Sequence, residues 1–318
     1  MGRASLACAQ GKDACPTIEF LGFQKCRSFL ELLEDAISER RKMKISFSTG
    51  CLYEYSLSDI FSLAKRAGFD GIELLIDRNK SNIKPRRIRD LSERYEIPIL
   101  SIHSPFVMCD GWGNFWDSIQ KTLDFAVELS IPLMNFHPPY SVLTIYRLNS
   151  NFLDRVKSYR EMANRNDIIL TVENLPIKLY FARIFSRKST YKLAEFIKDS
   201  NIFLTFDTTH FATMGADILQ AYALFGERVA NVHFSDYDGR AQHLLPGNGY
   251  LPLKELLRKI SEDGRRSIIT LETRPTSMES SDRSRAMHNA KQCLLYIKKN
   301  LGNESQSIDR KPELVETN

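Results

Sequence analysis

At 318 residues, with 43% hydrophobic and 26% charged side chains, the chain has the composition of a globular protein rather than a fibrous or disordered one. No uncharged apolar run reaches the roughly 20 residues of a bilayer span, and the first residues lack the apolar stretch of a signal peptide, so a cytoplasmic protein with no membrane partner is expected. The net charge of +5, 44 Lys and Arg against 39 Asp and Glu scattered along the chain, leans towards acidic or phosphorylated partners without establishing nucleic-acid binding.

In chain order, residues 1–43 read as an extension. Within it Phe29, Leu32, Leu33, Ala36 and Ile37 recur at helical spacing and predict an amphipathic helix over about 26–40, able to cap a barrel or dock on another chain. The main domain, 44–301, opens with a strand at 44–49. Further strands are predicted at 71–76, 97–103, 131–137, 168–173, 202–207, 229–234 and 267–272. Helical segments start near Ser58, Pro85, Phe115, Phe152, Tyr191, Asp217, Leu253 and Asp282. The polar tail, 302–318, is expected to be disordered. Eight strand–helix units predict an α/β fold, a closed parallel (β/α)8 TIM barrel with an N-terminal helical extension. The alternative, an open doubly wound sheet, lacks the expected GxGxxG after the first strand. Cys8, Cys15, Cys26, Cys51, Cys109 and Cys293 form no CxxC pair, which argues against a thiolate zinc site and for reduced thiols.

Six of the strands end alike. Ser101-Ile102-His103, Asn135-Phe136-His137, Thr171-Val172-Glu173, Thr205-Phe206-Asp207, Asn231-Val232-His233 and Thr270-Leu271-Glu272 each run small polar, apolar, metal ligand. Strand parity sends the first and third members to one face and the apolar member to the other. In a parallel barrel those third members meet at the C-terminal mouth, where catalytic groups gather. Carboxylates that close repel one another unless a divalent cation joins them. Glu173, Asp207, His233 and Glu272 are therefore the expected metal ligands, a mixed set suited to Mn, Co, Mg or Zn. His103, His137, His210 and His243 can ligate or position a substrate hydroxyl, Glu73 can join the set, and His288 reads as an exposed helix residue. Taken singly, each such residue is more often a hydrogen-bonding or surface group.

FDGIEL (69–74), VEN (172–174), FDTTH (206–210), VHFSD (232–236), HLLPGNG (243–249) and LETRP (271–275) together resemble the xylose isomerase-like TIM barrel superfamily. That superfamily includes sugar (phosphate) isomerases and epimerases and the type IV apurinic endonucleases, and the resemblance covers roughly 44–300. Its epimerase branch implies one divalent metal on Glu173, Asp207, His233 and Glu272. It implies proton exchange by Glu173 and Glu272 through a metal-stabilised enediolate, with His210 steadying an oxygen. His103, His137, His243, Arg274 and Glu73 would then contact a small sugar or sugar-phosphate substrate.

The endonuclease branch implies two or three zinc ions and phosphodiester hydrolysis, with His103, His137, His210 and His243 among the ligands and nucleic acid as partner. The chain departs from it at Ala241, where an aspartate is expected; the nearest upstream acid is Asp238. NLPIKLYFARIFSRK (174–188) reads as a long loop whose Lys178, Arg183, Arg187 and Lys188 could hold phosphates or form the solvated face of a lid. Arg274 is an anion-binding candidate, and Gly247 and Gly249 read as turn residues whose amides can face phosphate. Trp112 and Trp116 could wall the cavity or join helices together. The first expectation is a metal-dependent sugar (phosphate) isomerase or epimerase, the second a zinc phosphodiesterase, and the third a non-catalytic barrel, which no missing ligand supports. Homo-oligomerisation is compatible with the sequence but not encoded visibly in it.

Overall fold

The computed structural model describes residues 43–80, 82–107, 109–139, 150–176, 182–264 and 267–302, with backbone alone at 150 and 182–189. The helix expected over 26–40, the rest of the extension up to 42, the tail from 303, and Lys178 lie outside the described residues.

The strands are β1 (Ile45–Ser48), β2 (Gly71–Leu75), β3 (Ile99–His103), β4 (Leu133–Phe136), β5 (Ile169–Glu173), β6 (Phe203–Asp207), β7 (Val229–Phe234) and β8 (Ile268–Leu271). Each pairs in parallel with the next, and β1 pairs with β8, closing the barrel predicted from the repeat. The main helices are α1 (Leu57–Ala67), α2 (Pro85–Tyr95), α3 (Phe115–Leu129), α4 (Ser150–Asn164), α5 (Ala182–Ser200), a short α6 (Thr208–Thr213), α7 (Ile218–Phe225), α8 (Leu253–Glu262) and α9 (Arg283–Asn300).

Local sequence sets several of these boundaries. Ser56 caps α1 by accepting from the Asp59 amide, and Gly68, at φ 96°, ends it in the left-handed region. Asn114 and Asp117 form a reciprocal capping box at the start of α3. One boundary differs from expectation: α5 begins at Ala182, not near Tyr191. Its extra first turns, ARIFSRKST, contain good helix formers and no Gly or Pro, so propensity prevails where a loop was expected. Arg183, Arg187 and Lys188 thus stand on a helix rather than in a long loop.

Phe47, Leu74, Ile102, Val172, Phe206, Val232 and Leu271 point outward from the barrel and are completely buried beneath the helices. Each such burial contributes about 1.5–3 kcal/mol relative to exposure. Both tryptophans belong to this shell. Trp112 is buried with Phe125 at 5.6 Å between rings, and Trp116 stacks on Tyr159 at 5.7 Å, so helix association, not the mouth, uses them. Cys51, Cys109 and Cys293 are buried free thiols. Among the described residues no helix is long and apolar enough to cross a membrane.

Candidate metal centre

The inner face of the barrel has two polar layers, one strand step apart. The lower holds Ser101, Asn135, Thr171, Thr205, Asn231 and Thr270, all completely buried. Its threonines bond within the layer: Thr171 Oγ1 meets Thr205 Oγ1 at 2.8 Å and donates to Asn135 Oδ1 at 3.1 Å, while Thr270 Oγ1 donates to Asn231 Oδ1 at 2.9 Å. The upper layer consists of the third members of the repeated endings, His103, His137, Glu173, Asp207, His233 and Glu272.

Glu173, 1% exposed, is the hub. Its Oε2 accepts from Asn135 Nδ2 at 2.7 Å and lies 3.0 Å from His103 Nε2 and 3.2 Å from His233 Nδ1. Its Oε1 lies 3.0 Å from His137 Nε2 and 3.2 Å from His210 Nδ1. Asp207 caps α6: Oδ1 accepts from the His210 amide at 2.6 Å and from Thr209 Oγ1 at 2.9 Å. The DTTH order therefore both places His210 at the mouth and consumes one Asp207 oxygen, leaving Oδ2 for another partner.

Asn174 joins the ends of β5 and β6. Its side chain donates to Asp207 O at 3.0 Å and accepts from the Asp207 amide at 2.8 Å, and its carbonyl faces His210 Nδ1 at 2.8 Å. With Nδ1–H spent on that carbonyl, Nε2 is the ring atom of His210 left for another partner. His103 is fixed the same way by Ser104 O at 2.6 Å, which aims a lone pair at the Glu173 carboxylate. Two acceptors 3.0 Å apart require a proton or a metal ion between them.

Glu73 corrects an expectation. Placed by sequence at the substrate, it is instead completely buried beneath His233, where its Oε2 accepts from His233 Nε2 at 3.1 Å, Ser101 Oγ at 2.9 Å and Asn231 Nδ2 at 3.2 Å. That contact fixes the His233 tautomer and turns Nδ1 towards Glu272 Oε2, 2.8 Å away.

Protonation reflects this crowding. Burial alone would raise the Glu173 carboxyl, but the charges of His137 and His233 and the contacts from His103 and His137 hold it well below the usual carboxylate range. Glu272 is likewise held at about 2, against burial, chiefly by His233. Burial disfavours the charged form of His210, yet the Asp207 charge and the Glu173 contact raise it to about 9. His233 is raised well above its ordinary value against burial by Glu173, Glu272 and Glu73, whereas burial wins at His137 and lowers it.

Among the buried atoms that form no hydrogen bond are four that face one another here: Glu173 Oε1, Asp207 Oδ2, His233 Nδ1 and Glu272 Oε2. These residues offer ligand atoms all within 4.8 Å of one another. Buried polar atoms rarely go unmatched, and a divalent cation at their centre would match all four, so the residues fit the group. Two further groups meet the same distance limit, His103–His137–Glu173 and Asp207–His210–His243. The latter gains no carboxylate from the loop after β7. Asp238 is solvent-exposed and accepts from the amides of Arg240 and Ala241, closing a turn instead.

A cavity of about 630 Å³ opens beside the centre, lined by His243, Glu272 and Arg274 with Tyr53, Phe106 and Val107 as apolar wall. Phe106, 45% exposed, has its ring 6.4 Å from that of His103 and 5.9 Å from that of His137. His243 reaches the cavity at φ 56°, held by a two-way bridge between Asp236 and Leu244, at 2.9 Å each way. Asp236 also accepts from Gly247 N at 2.9 Å and Leu251 N at 3.1 Å, so the Gly247 amide is committed inside the loop. A Cβ at Gly249 would collide with Asp236 and the Tyr237 carbonyl, which explains glycine there. The structure thus gathers every expected ligand, leaves His288 exposed, and adds Asn135, Asn174, Phe106 and Asp236, which sequence reasoning did not assign.

The profile of the xylose isomerase-like TIM barrel family matches residues 61–295. An uncharacterised protein of Mycobacterium tuberculosis is 26% identical over 270 residues, covering 78% of this chain and 95% of its own. Among solved structures, the IolI protein with a bound zinc atom superposes at TM-score 0.66 with 17% identity, covering 81% of this chain and 99% of its own. A D-tagatose 3-epimerase-like protein does so at 0.62 with 21% identity, covering 82% and 99%. An AP endonuclease of family 2 from Brucella melitensis does so at 0.59 with 15% identity, covering 74% and 94%. The closed barrel and the profile match over most of its length agree, and the chain belongs to the xylose isomerase-like TIM barrel family.

Proposed function

We propose that the protein is a divalent-metal-dependent isomerase or epimerase of a sugar or sugar phosphate. The observation that carries this reading is the convergence of four unmatched buried atoms, on Glu173, Asp207, His233 and Glu272, at the edge of a cavity sized for a small molecule. A cation held there would polarise a carbonyl and its neighbouring hydroxyl and stabilise an enediolate. Glu272, at the cavity wall, takes the proton from carbon. Return of that proton from Glu272 to the neighbouring carbon gives an isomerase; delivery of a proton to the opposite face of the first carbon by Glu173, which draws it from the adjoining His210 imidazolium at 3.2 Å, gives an epimerase. His210 steadies a substrate oxygen through Nε2, and Phe106 and Val107 shield the carbon being deprotonated from water. The epimerase-like and zinc-bearing structural neighbours support the fold this chemistry needs, though the likeness at their identities is one of fold.

The test is solvent exchange. Metal-reconstituted protein, offered a panel of pentoses, hexoses and their phosphates in deuterated water, should place deuterium on the carbon beside the carbonyl of at least one. Absence of exchange across the panel with fully loaded protein contradicts the reading.

A second reading, phosphodiester hydrolysis, draws on the two additional donor groups that share Glu173 and Asp207 with the first. It requires two or three bound zinc ions and cleavage of an oligonucleotide carrying an abasic site. Ala241, in place of a carboxylate, leaves its third group with three donors only.

A further inference from the structure

We propose that Arg274 reads an anionic group, phosphate or carboxylate, on the substrate, making the enzyme one for charged rather than neutral sugars. This rests on the proposed isomerase or epimerase reading and narrows its substrate class.

Arg274 stands two residues beyond Glu272 on the same parity and lines the same cavity. Its backbone is fixed on both sides: its amide donates to His243 O at 3.0 Å and its carbonyl accepts from Met278 N at 3.0 Å. The guanidinium is thus carried by a rigid support tied to another cavity residue, yet it is exposed and makes no hydrogen bond or ion pair with any described residue. The neighbouring acids do not offer it one. Asp77, also in the lining, is taken by the buried ammonium of Lys80 and by the amides of Asn79 and Lys80, and Glu272 turns its Oε2 to His233. Arg78 adds a second cation to the lining. A planar fork of donors that no described residue engages, at the lip of a site, suits a bidentate oxyanion. The loops after the seventh and eighth strands, which His243 and Arg274 occupy, are also where parallel barrels commonly hold phosphate.

The experiment compares wild-type, Arg274→Ala and Arg274→Lys proteins, each loaded with metal, on neutral sugars, their terminal phosphates and the matching sugar acids. The expected result is that wild-type kcat/KM favours one anionic class over its neutral parent. Arg274→Ala should cut that preference about tenfold or more, mainly through KM, with partial rescue by lysine. Preference for the phosphate or for the acid identifies which anion is read. An equal preference in wild-type and Arg274→Ala overturns the inference while leaving the isomerase reading intact. If no sugar of any class reacts, that reading fails first, and calorimetric titration with inorganic phosphate decides the inference by itself. Binding at least tenfold weaker in Arg274→Ala supports it, and equal binding overturns it.

Discussion

The two polar layers inside the barrel are built from the same strands, two residues apart, and they differ in kind. In the lower layer the threonine hydroxyls close hydrogen bonds with one another and with asparagine, as Thr171 does with Thr205 and Asn135, while Ser101 and the asparagine amides donate to the carboxylates Glu73 and Glu173. The upper layer places three carboxylates and three imidazoles, with His210 beside them, within contact distance and leaves Glu173 Oε1, Asp207 Oδ2, His233 Nδ1 and Glu272 Oε2 without a hydrogen bond. The lower layer is complete without a ligand; the upper one is complete only with a cation or with protons standing in for it. Polar groups inside one barrel thus divide into those that stabilise the fold and those held ready for chemistry.

Breaking the upper layer at its hub should have the largest effect. Glu173→Gln is expected to cut deuterium exchange about 10²–10⁴-fold, the range for loss of a positioned acid or base. Equal exchange would remove Glu173 from the chemistry. Next comes the buried orienting residue: Glu73→Gln should weaken metal binding about 10–100-fold by calorimetry, because His233 loses the acceptor that sets its tautomer. Unchanged affinity would reduce Glu73 to filler. In the lower layer, Thr171→Val should cost about 1–3 kcal/mol in chemical denaturation, equally with and without metal, since it strands Thr205 and Asn135. A cost that appears only in the metal-loaded protein would blur the distinction between the layers.

The smallest effect is the pH dependence. His210 is raised from 6.5 to about 9, so its contribution to the metal-free fold is whole below pH 6.5 and lost as pH rises through about 9. Glu272, held at about 2 from 4.5, contributes above pH 4.5 and loses its share only as pH falls through about 2. Because a cation displaces the protons on these histidines, the rise in thermal midpoint on adding metal should grow from pH 6.5 to pH 9. A constant rise would show that protons and metal do not compete there.

The barrel was legible because its signals are local: eight β-branched runs, each followed by an amphipathic period, and ligand parity that follows from alternation alone. The clustering of Glu173, Asp207, His233 and Glu272 was legible for the same reason. Glu73 was misassigned because the alternation that sends it inward says nothing of depth. Closure brings β2 across the barrel from β7 and sets the carboxylate below His233 instead of beside it. Asn135 depends on register, being paired with His103 on one side and Thr171 on the other. Asn174 depends on two strand ends meeting, and Phe106 on a loop path that no periodicity encodes. The early start of α5 escaped because proline and aromatics upstream masked good helix formers.

The central claim is that the upper layer is a cation site. Crystals of protein reconstituted with Mn(II), measured for anomalous scattering, test it most directly. The account predicts a full-occupancy peak coordinated by Glu173, Asp207, His233 and Glu272; a stoichiometric ion found elsewhere, or none at this position, would contradict it.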